Sequence, residues 1–171
     1  MDDTKKKLAK YEPYAVTYTT DILKLPDMLE HVSDIAKERT KLSNKNELSI
    51  EREALQLIVV NSFAAVKQIC ADRELNRRYK EVVGGFKGLK CCLLYTDIEN
   101  APISFSSGEI LKNIRDGRNM LIFEDIKAIQ IVDVPMMTTR KFKKQLGYMD
   151  AYLVNGETIE KIRTVKGYRE A

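Results

Sequence analysis

One histidine and three cysteines among 171 residues are too few for several kinds of chemistry. A zinc centre needs several His, Cys or carboxylate ligands converging on one point. His31 stands alone beside Glu30 and Asp34 on a helical stretch, the setting of an ordinary surface histidine. Cys70, Cys91 and Cys92 cannot all pair, and the adjacent two lack C-x-x-C spacing, so a reducing compartment is expected. In a strand Cys91 and Cys92 would face opposite ways and could not share an ion. A Ser-His-Asp arrangement has one histidine to draw on and no G-x-S-x-G context. The segment Gly84-Gly85-Phe86-Lys87-Gly88 offers flexible amides and a lysine but not the G-x-x-x-x-G-K-[ST] frame, and reads as a helix-stopping turn. An enzyme built on this chain would have to use carboxylates such as Glu124, Asp125 and Asp133, although Glu124-Asp125 reads equally as a solvated turn. No cofactor and no metal are expected.

Long apolar runs are missing too. No stretch reaches the length of a membrane span, and Met1-Asp2-Asp3-Thr4 followed by Lys5-Lys6-Lys7 contains no apolar targeting core. A cytoplasmic protein with no membrane partner is the expectation. No repeat of solenoid length and no low-complexity tract is visible.

What is present suits a globular fold: 44% hydrophobic and 32% charged residues, on a chain long enough to bury about 70% of the surface it exposes when unfolded. The chain reads as a single domain, 1–171, with 1–12 flexible, 13–85 mainly helical and 86–171 mainly strand-rich. Residues 13–19, after a proline, have the composition of a short strand. Pro26 suits a first helical turn, and Met28, Val32, Ile35, Ala36 and Leu42 recur at helical spacing. Ser49 can cap a second helix with Glu51 and Glu53 in its first turn. Apolar residues then cover most of the circumference from Ala54 to Cys70, which predicts a long central helix, 49–83, ending at Gly84 and Gly85. Lys90–Thr96 reads as a buried strand, and Ser106-Ser107-Gly108-Glu109 as a capping box opening a short helix that ends at Asp116-Gly117. Met120–Phe123, Ile126–Val134 and Tyr148–Val154 have strand composition. Asn155-Gly156 signals a hairpin, yet 157–166 would serve equally as a helix capped by Gly167. The sum is α+β: a helical N-terminal half around a long buried central helix, packed on a mixed, mainly antiparallel sheet.

The charge excess is small, 29 basic against 25 acidic residues, below that of dedicated nucleic-acid binders. It is concentrated in two blocks, Arg73, Arg77, Arg78 and Lys80 in the first, Arg140, Lys141, Lys143 and Lys144 in the second, with Tyr79 and Phe142 interleaved. Such blocks can seat a nucleic acid or another polyanion. They also fit solvated faces, and cations in the last turns of a helix complement its dipole.

The order long helix (Glu51 to Val83), strand (Lys90 to Thr96), short helix (Glu109 to Arg115), strand pair (Met120 to Val134) and Val134-Pro135 before a loop resembles part of a tailed-phage major capsid protein. The resemblance covers about 100 residues and implies a viral or phage structural or accessory protein, placed in the host cytoplasm or the virion. A strong core signal beside the thin catalytic inventory predicts a non-enzymatic interaction or assembly protein, with a protein partner or self-association. Nucleic-acid binding through the two basic blocks and an enzyme with a carboxylate site are the alternatives.

Overall fold

The computed structural model describes residues 1–45, 50–86, 88–103, 107–142 and 145–164. The expected roles of Ser49, Lys87, Ser106, Lys143, Lys144, Lys166 and Gly167 fall outside these residues. The fold is α+β, with two small sheets. The chain divides into two compact units, Met1–Glu99 and Asn100–Ala171.

In the first unit helix α1 spans Leu25–Lys45, with Pro26 in its first turn as expected, and buries Leu25, Val32, Ala36 and Arg39. The predicted central helix 49–83 is not formed. Its place is taken by strand β1 (Gln56–Val60) and helices α2 (Phe63–Ala71) and α3 (Arg73–Gly84). Ile58, Val59 and Val60 are consecutive β-branched residues, which favour the extended chain. Ser62 then caps α2, its hydroxyl accepting from the Ala65 amide at 3.2 Å. The backbone of Asp72 is extended and its carboxylate accepts from the Glu74 and Leu75 amides, both at 2.9 Å, so it ends α2 and starts α3. The apolar run that looked like a helix buried all round is a strand followed by a helix. Gly85 ends α3 where a stop was expected, and Phe86 behind it is buried.

Strand β2 (Cys91–Tyr95) pairs with β1 in parallel, in register Gln56↔Cys91 to Val60↔Tyr95. The crossover that a parallel pair requires is supplied by α2 and α3. One face of the pair packs on the helices: Ile58, Cys91 and Leu93 lie against a core of Val32, Ala36, Val82 and Phe86. Residues 1–12, read as flexible, are held at this sheet. Asp2 is buried and forms a parallel bridge to Asn61. Residues 13–19 form no strand; Pro13 lies in a 3-10 helix, Ala9–Tyr14, and Tyr14 and Val16 are exposed.

In the second unit β3 (Asn119–Ile122), β4 (Asp150–Asn155) and β5 (Thr158–Arg163) make an antiparallel sheet in chain order. The predicted single sheet is thus a parallel pair in one unit and an antiparallel triplet in the other. The open choice at 157–166 falls to a strand, because Gly156, φ 55°, opens a two-residue loop that reverses the chain between Asn155 and Thr158. Helix α4 (Glu109–Gly117) buries Ile110; its N-cap is Gly108, without a side-chain bond. The run Ile126–Val134 is no strand, although Ile126, Ile131 and Val132 are buried. A side chain bonds part of its backbone: Asn100 Nδ2 donates to the Ala128 carbonyl at 2.9 Å, and Asn100 Oδ1 accepts from the Gln130 and Ile131 amides at 2.8 and 3.3 Å. Helix α5 (Met136–Lys141) follows Pro135.

Candidate functional site

The carboxyl ends of parallel strands are a common place for ligands, and here they hold a cluster of polar groups. Asp2 Oδ1 accepts from Asn61 Nδ2 at 2.6 Å and from the Asp3 amide at 2.8 Å; Oδ2 accepts from the Leu8 amide and the Tyr18 hydroxyl, both at 2.8 Å. Asn61 Oδ1 in turn accepts from Thr96 Oγ1 at 2.5 Å. Burial works to raise the Asp2 pKa, but the hydrogen bonds from Asn61, Leu8, Tyr18 and Asp3 outweigh it and hold the carboxyl below its ordinary value. Burial, then the bond to Asp2, push Tyr18 up to about 12. A carboxylate with two donors on each oxygen has little capacity left for a substrate. The cluster ties residues 1–19 to the ends of β1 and β2, which is a structural task.

The first basic block lies along α3. Arg77 Nη2 and Nε reach Glu74 at 2.6 and 3.0 Å, Arg77 Nη1 reaches Glu81 at 2.5 Å, and Arg78 Nε reaches Glu74 at 3.1 Å. These are the helical i,i+3 and i,i+4 spacings. Glu74 is held down to about 2 by its bonds to Arg77 and Arg78. A polyanion would have to displace carboxylates from Arg77 and Arg78, two of the four expected cations. Tyr79 is no stacking platform on this face, since it is buried and its hydroxyl pairs with that of Tyr95 at 2.6 Å. In the second block Arg140 and Lys141 are exposed at the end of α5. Phe142 is half-buried, with its ring centroid 5.3 Å from that of Tyr152. The blocks belong to different units.

Of the carboxylates named for the enzyme alternative, Asp125 accepts through Oδ1 from the Leu146 amide at 2.7 Å while its carbonyl closes a turn to Ala128. Glu124 and Asp133 are exposed. Among the described residues no three His, Cys, Asp or Glu side chains form a metal-sized group, and His31 is exposed. No described helix is long and apolar enough to cross a membrane.

Two features were missed in the sequence. Arg39 is buried, and its guanidinium donates to the carbonyls of Leu89 (2.8 Å), Lys90 (3.0 Å) and Ala54 (2.6 Å), the residues that lead into β2 and β1. Its position, three residues after Ala36 and seven after Val32, is on the apolar face of α1 and was the available signal. The second is the outer face of the parallel pair. Leu57 and Cys92 are registered neighbours there, as are Val59 and Leu94. Leu57 is 54% exposed, Leu94 44%, and Leu55, just before β1, 62%. Cys92 is exposed as well. Parallel strands are normally covered on both faces; helices cover one face of this pair and leave the other apolar and open.

No protein-family model, no curated protein and no solved structure matches the chain.

Proposed function

We propose that the chain is a non-enzymatic interaction and assembly protein that works through the open apolar face of its parallel strand pair. The observation that carries this reading is the exposure of Leu57 and Leu94 side by side with Cys92 and Val59 on a sheet of a kind that is normally buried on both sides. Covering a half-exposed leucine is worth about 1 kcal/mol, so a partner that covers this face gains several kcal/mol before any hydrogen bond is counted. The polar cluster around Asp2 fits the same reading, because it fixes the sheet instead of presenting reactive groups. A shell subunit of the tailed-phage kind is the largest form such assembly could take, and its mark would be a particle rather than a small oligomer.

Light scattering on the full chain, from about 1 to 100 µM, tests this reading. A mass that rises above 19.6 kDa with concentration, and that Leu57→Lys returns to the monomer without changing the thermal melt, supports it. A monomer throughout, or turnover of a substrate that is lost on changing one carboxylate, overturns it.

A further inference from the structure

We infer that Asn155 is a site of spontaneous deamidation and that the junction of α4 and β3, through Arg118, sets its rate. Of the asparagines in the chain only Asn155 precedes a glycine, and a glycine puts no side chain in the way of its own backbone nitrogen. That nitrogen is the nucleophile. Gly156 N bonds to Asn155 Cγ, the Cγ–Nδ2 bond breaks, and ammonia leaves with the proton that the Gly156 amide gives up, which closes a cyclic imide. Water then opens the imide at either of its carbonyls. One opening gives aspartate on an unchanged main chain; the other gives isoaspartate, in which the main chain runs through Cγ. Water is the only co-reactant in the balance.

The folded hairpin keeps the two reacting groups apart. Asn155 is exposed, so water and base reach it. In the strand, however, its side chain stands off the plane in which the backbone hydrogen-bonds. The Gly156 amide is in use, donating to the Arg118 carbonyl at 3.0 Å. The same residue holds the other side of Gly156: Arg118 Nε donates to the Gly156 carbonyl at 2.6 Å. Arg118 has a left-handed backbone, φ 46°, where α4 ends, and Asn119 behind it opens β3 opposite Asn155. Closure of the imide therefore waits for the tip of the hairpin to leave Arg118, and the observed rate is that of an unfolded chain multiplied by the fraction of time the tip is open. The damage falls on the sheet. In isoaspartate the Asn155 carbonyl, which accepts from Thr158 Oγ1 at 2.9 Å, becomes a side carboxylate, and the main chain gains a methylene at the loop that joins Asn155 to Thr158. Val154 and Ile159, registered neighbours that are both buried, lie directly behind that loop, so the change reaches the core of the second unit.

The test ages the full chain at mildly alkaline pH and follows Asn155 by peptide mapping, in which mass separates acid from amide and elution separates aspartate from isoaspartate. Wild type is compared folded and in unfolding urea. The folded chain should convert at Asn155 at least about 10-fold more slowly than the unfolded one, and before any other asparagine. Arg118→Met keeps the stem of the side chain and removes the Nε donor. It should speed conversion of the folded chain about 5- to 10-fold, the worth of one exposed charge-assisted bond, and leave the unfolded rate unchanged. The aged wild-type chain should lose amide-exchange protection in the β4–β5 hairpin and keep it in the first unit. Equal rates in the folded and unfolded chain, an Arg118→Met rate equal to that of wild type, a folded chain that stays unmodified for weeks, or another asparagine converting first overturns the inference. Should Arg118→Met fail to fold, the ratio of folded to unfolded rates in wild type and the order of conversion among its asparagines decide the question.

Discussion

Replacing Arg39 by Met keeps the length and apolar stem of the side chain on α1 and removes the guanidinium that joins this helix to the starts of both parallel strands. Of its three acceptors, the Lys90 carbonyl keeps the bond from Gln56 N. The Ala54 carbonyl loses a 2.6 Å partner, and the Leu89 carbonyl is left with a weak thiol contact from Cys91 at 3.6 Å. Two partly buried carbonyls stripped at about 1–3 kcal/mol each, against the relief of no longer burying a cation, give a net loss of about 3 kcal/mol, a large share of the roughly 5–15 kcal/mol typical of a domain. With a urea dependence of about 2 kcal/mol per molar, the unfolding midpoint should fall by about 1.5 M. Hydrogen exchange locates the effect: the amides that bond across the parallel pair, those of Gln56 and Thr96 at its two ends among them, should lose protection while those of the β3–β5 sheet keep theirs. Arg39→Lys should lie between, since one ammonium cannot span three carbonyls. A midpoint within about 0.3 M of wild type, or protection lost equally in both units, would refute the bridging role.

Asp2→Ala strands the side-chain donors of Asn61 and Tyr18 and the amides of Asp3 and Leu8, and should cost about 2–4 kcal/mol at neutral pH by chemical denaturation, with the first 19 residues becoming sensitive to protease. Asp2, Glu74 and Asp150 are all held below the ordinary carboxylate range, the last two at about 2, so their contribution is complete above the unfolded-state values and is lost as pH falls from about 4 toward 2. Acid titration of stability should show that decline, and Asp2→Asn should make it shallower while lowering the plateau at pH 7. Ile69→Asp puts an unpaired charge at a position only 2% exposed and should unfold the first unit, visible as lost helical circular dichroism; a melt close to wild type would exclude the packing of α2 described above. For the polyanion alternative, Glu74→Gln/Glu81→Gln frees Arg77 and Arg78 and should raise the salt needed to elute the chain from heparin. Unchanged elution would show that the α3 block does not bind polyanions.

Elements with a local chemical signature were legible in the sequence. Pro26 in a first turn, the glycines after α3, the five-residue apolar strand at 91–95 and the Asn155-Gly156 reversal each owe their structure to neighbours within a few residues. The segment 56–71 was not legible, because apolar residues around most of the circumference are the pattern of a buried helix and equally of a buried strand leading into one. What separates them is the β-branched content of 58–60 and the caps at Ser62 and Asp72, weak signals one at a time. The run 126–134 failed for the opposite reason. Its β-branched content was read correctly, but backbone groups need partners of any kind rather than a strand, and the Asn100 side chain supplies three of the bonds.

The candidate site shows the same division between composition and placement. Counting cations along 73–80 found a basic block, while the two acids needed to neutralise its centre sit at the helical spacings that place them against Arg77 and Arg78. The apolar strands carried the opposite lesson. Leu57, Val59, Cys92 and Leu94 alternate with Ile58, Val60, Cys91 and Leu93, and near-continuous apolar runs of this kind belong to strands covered on both faces. Helices α1 and α3 supply one cover, and a two-stranded sheet is marginal without further support. A cover for the second face is what the proposed partner would add to the strand pair and its helices.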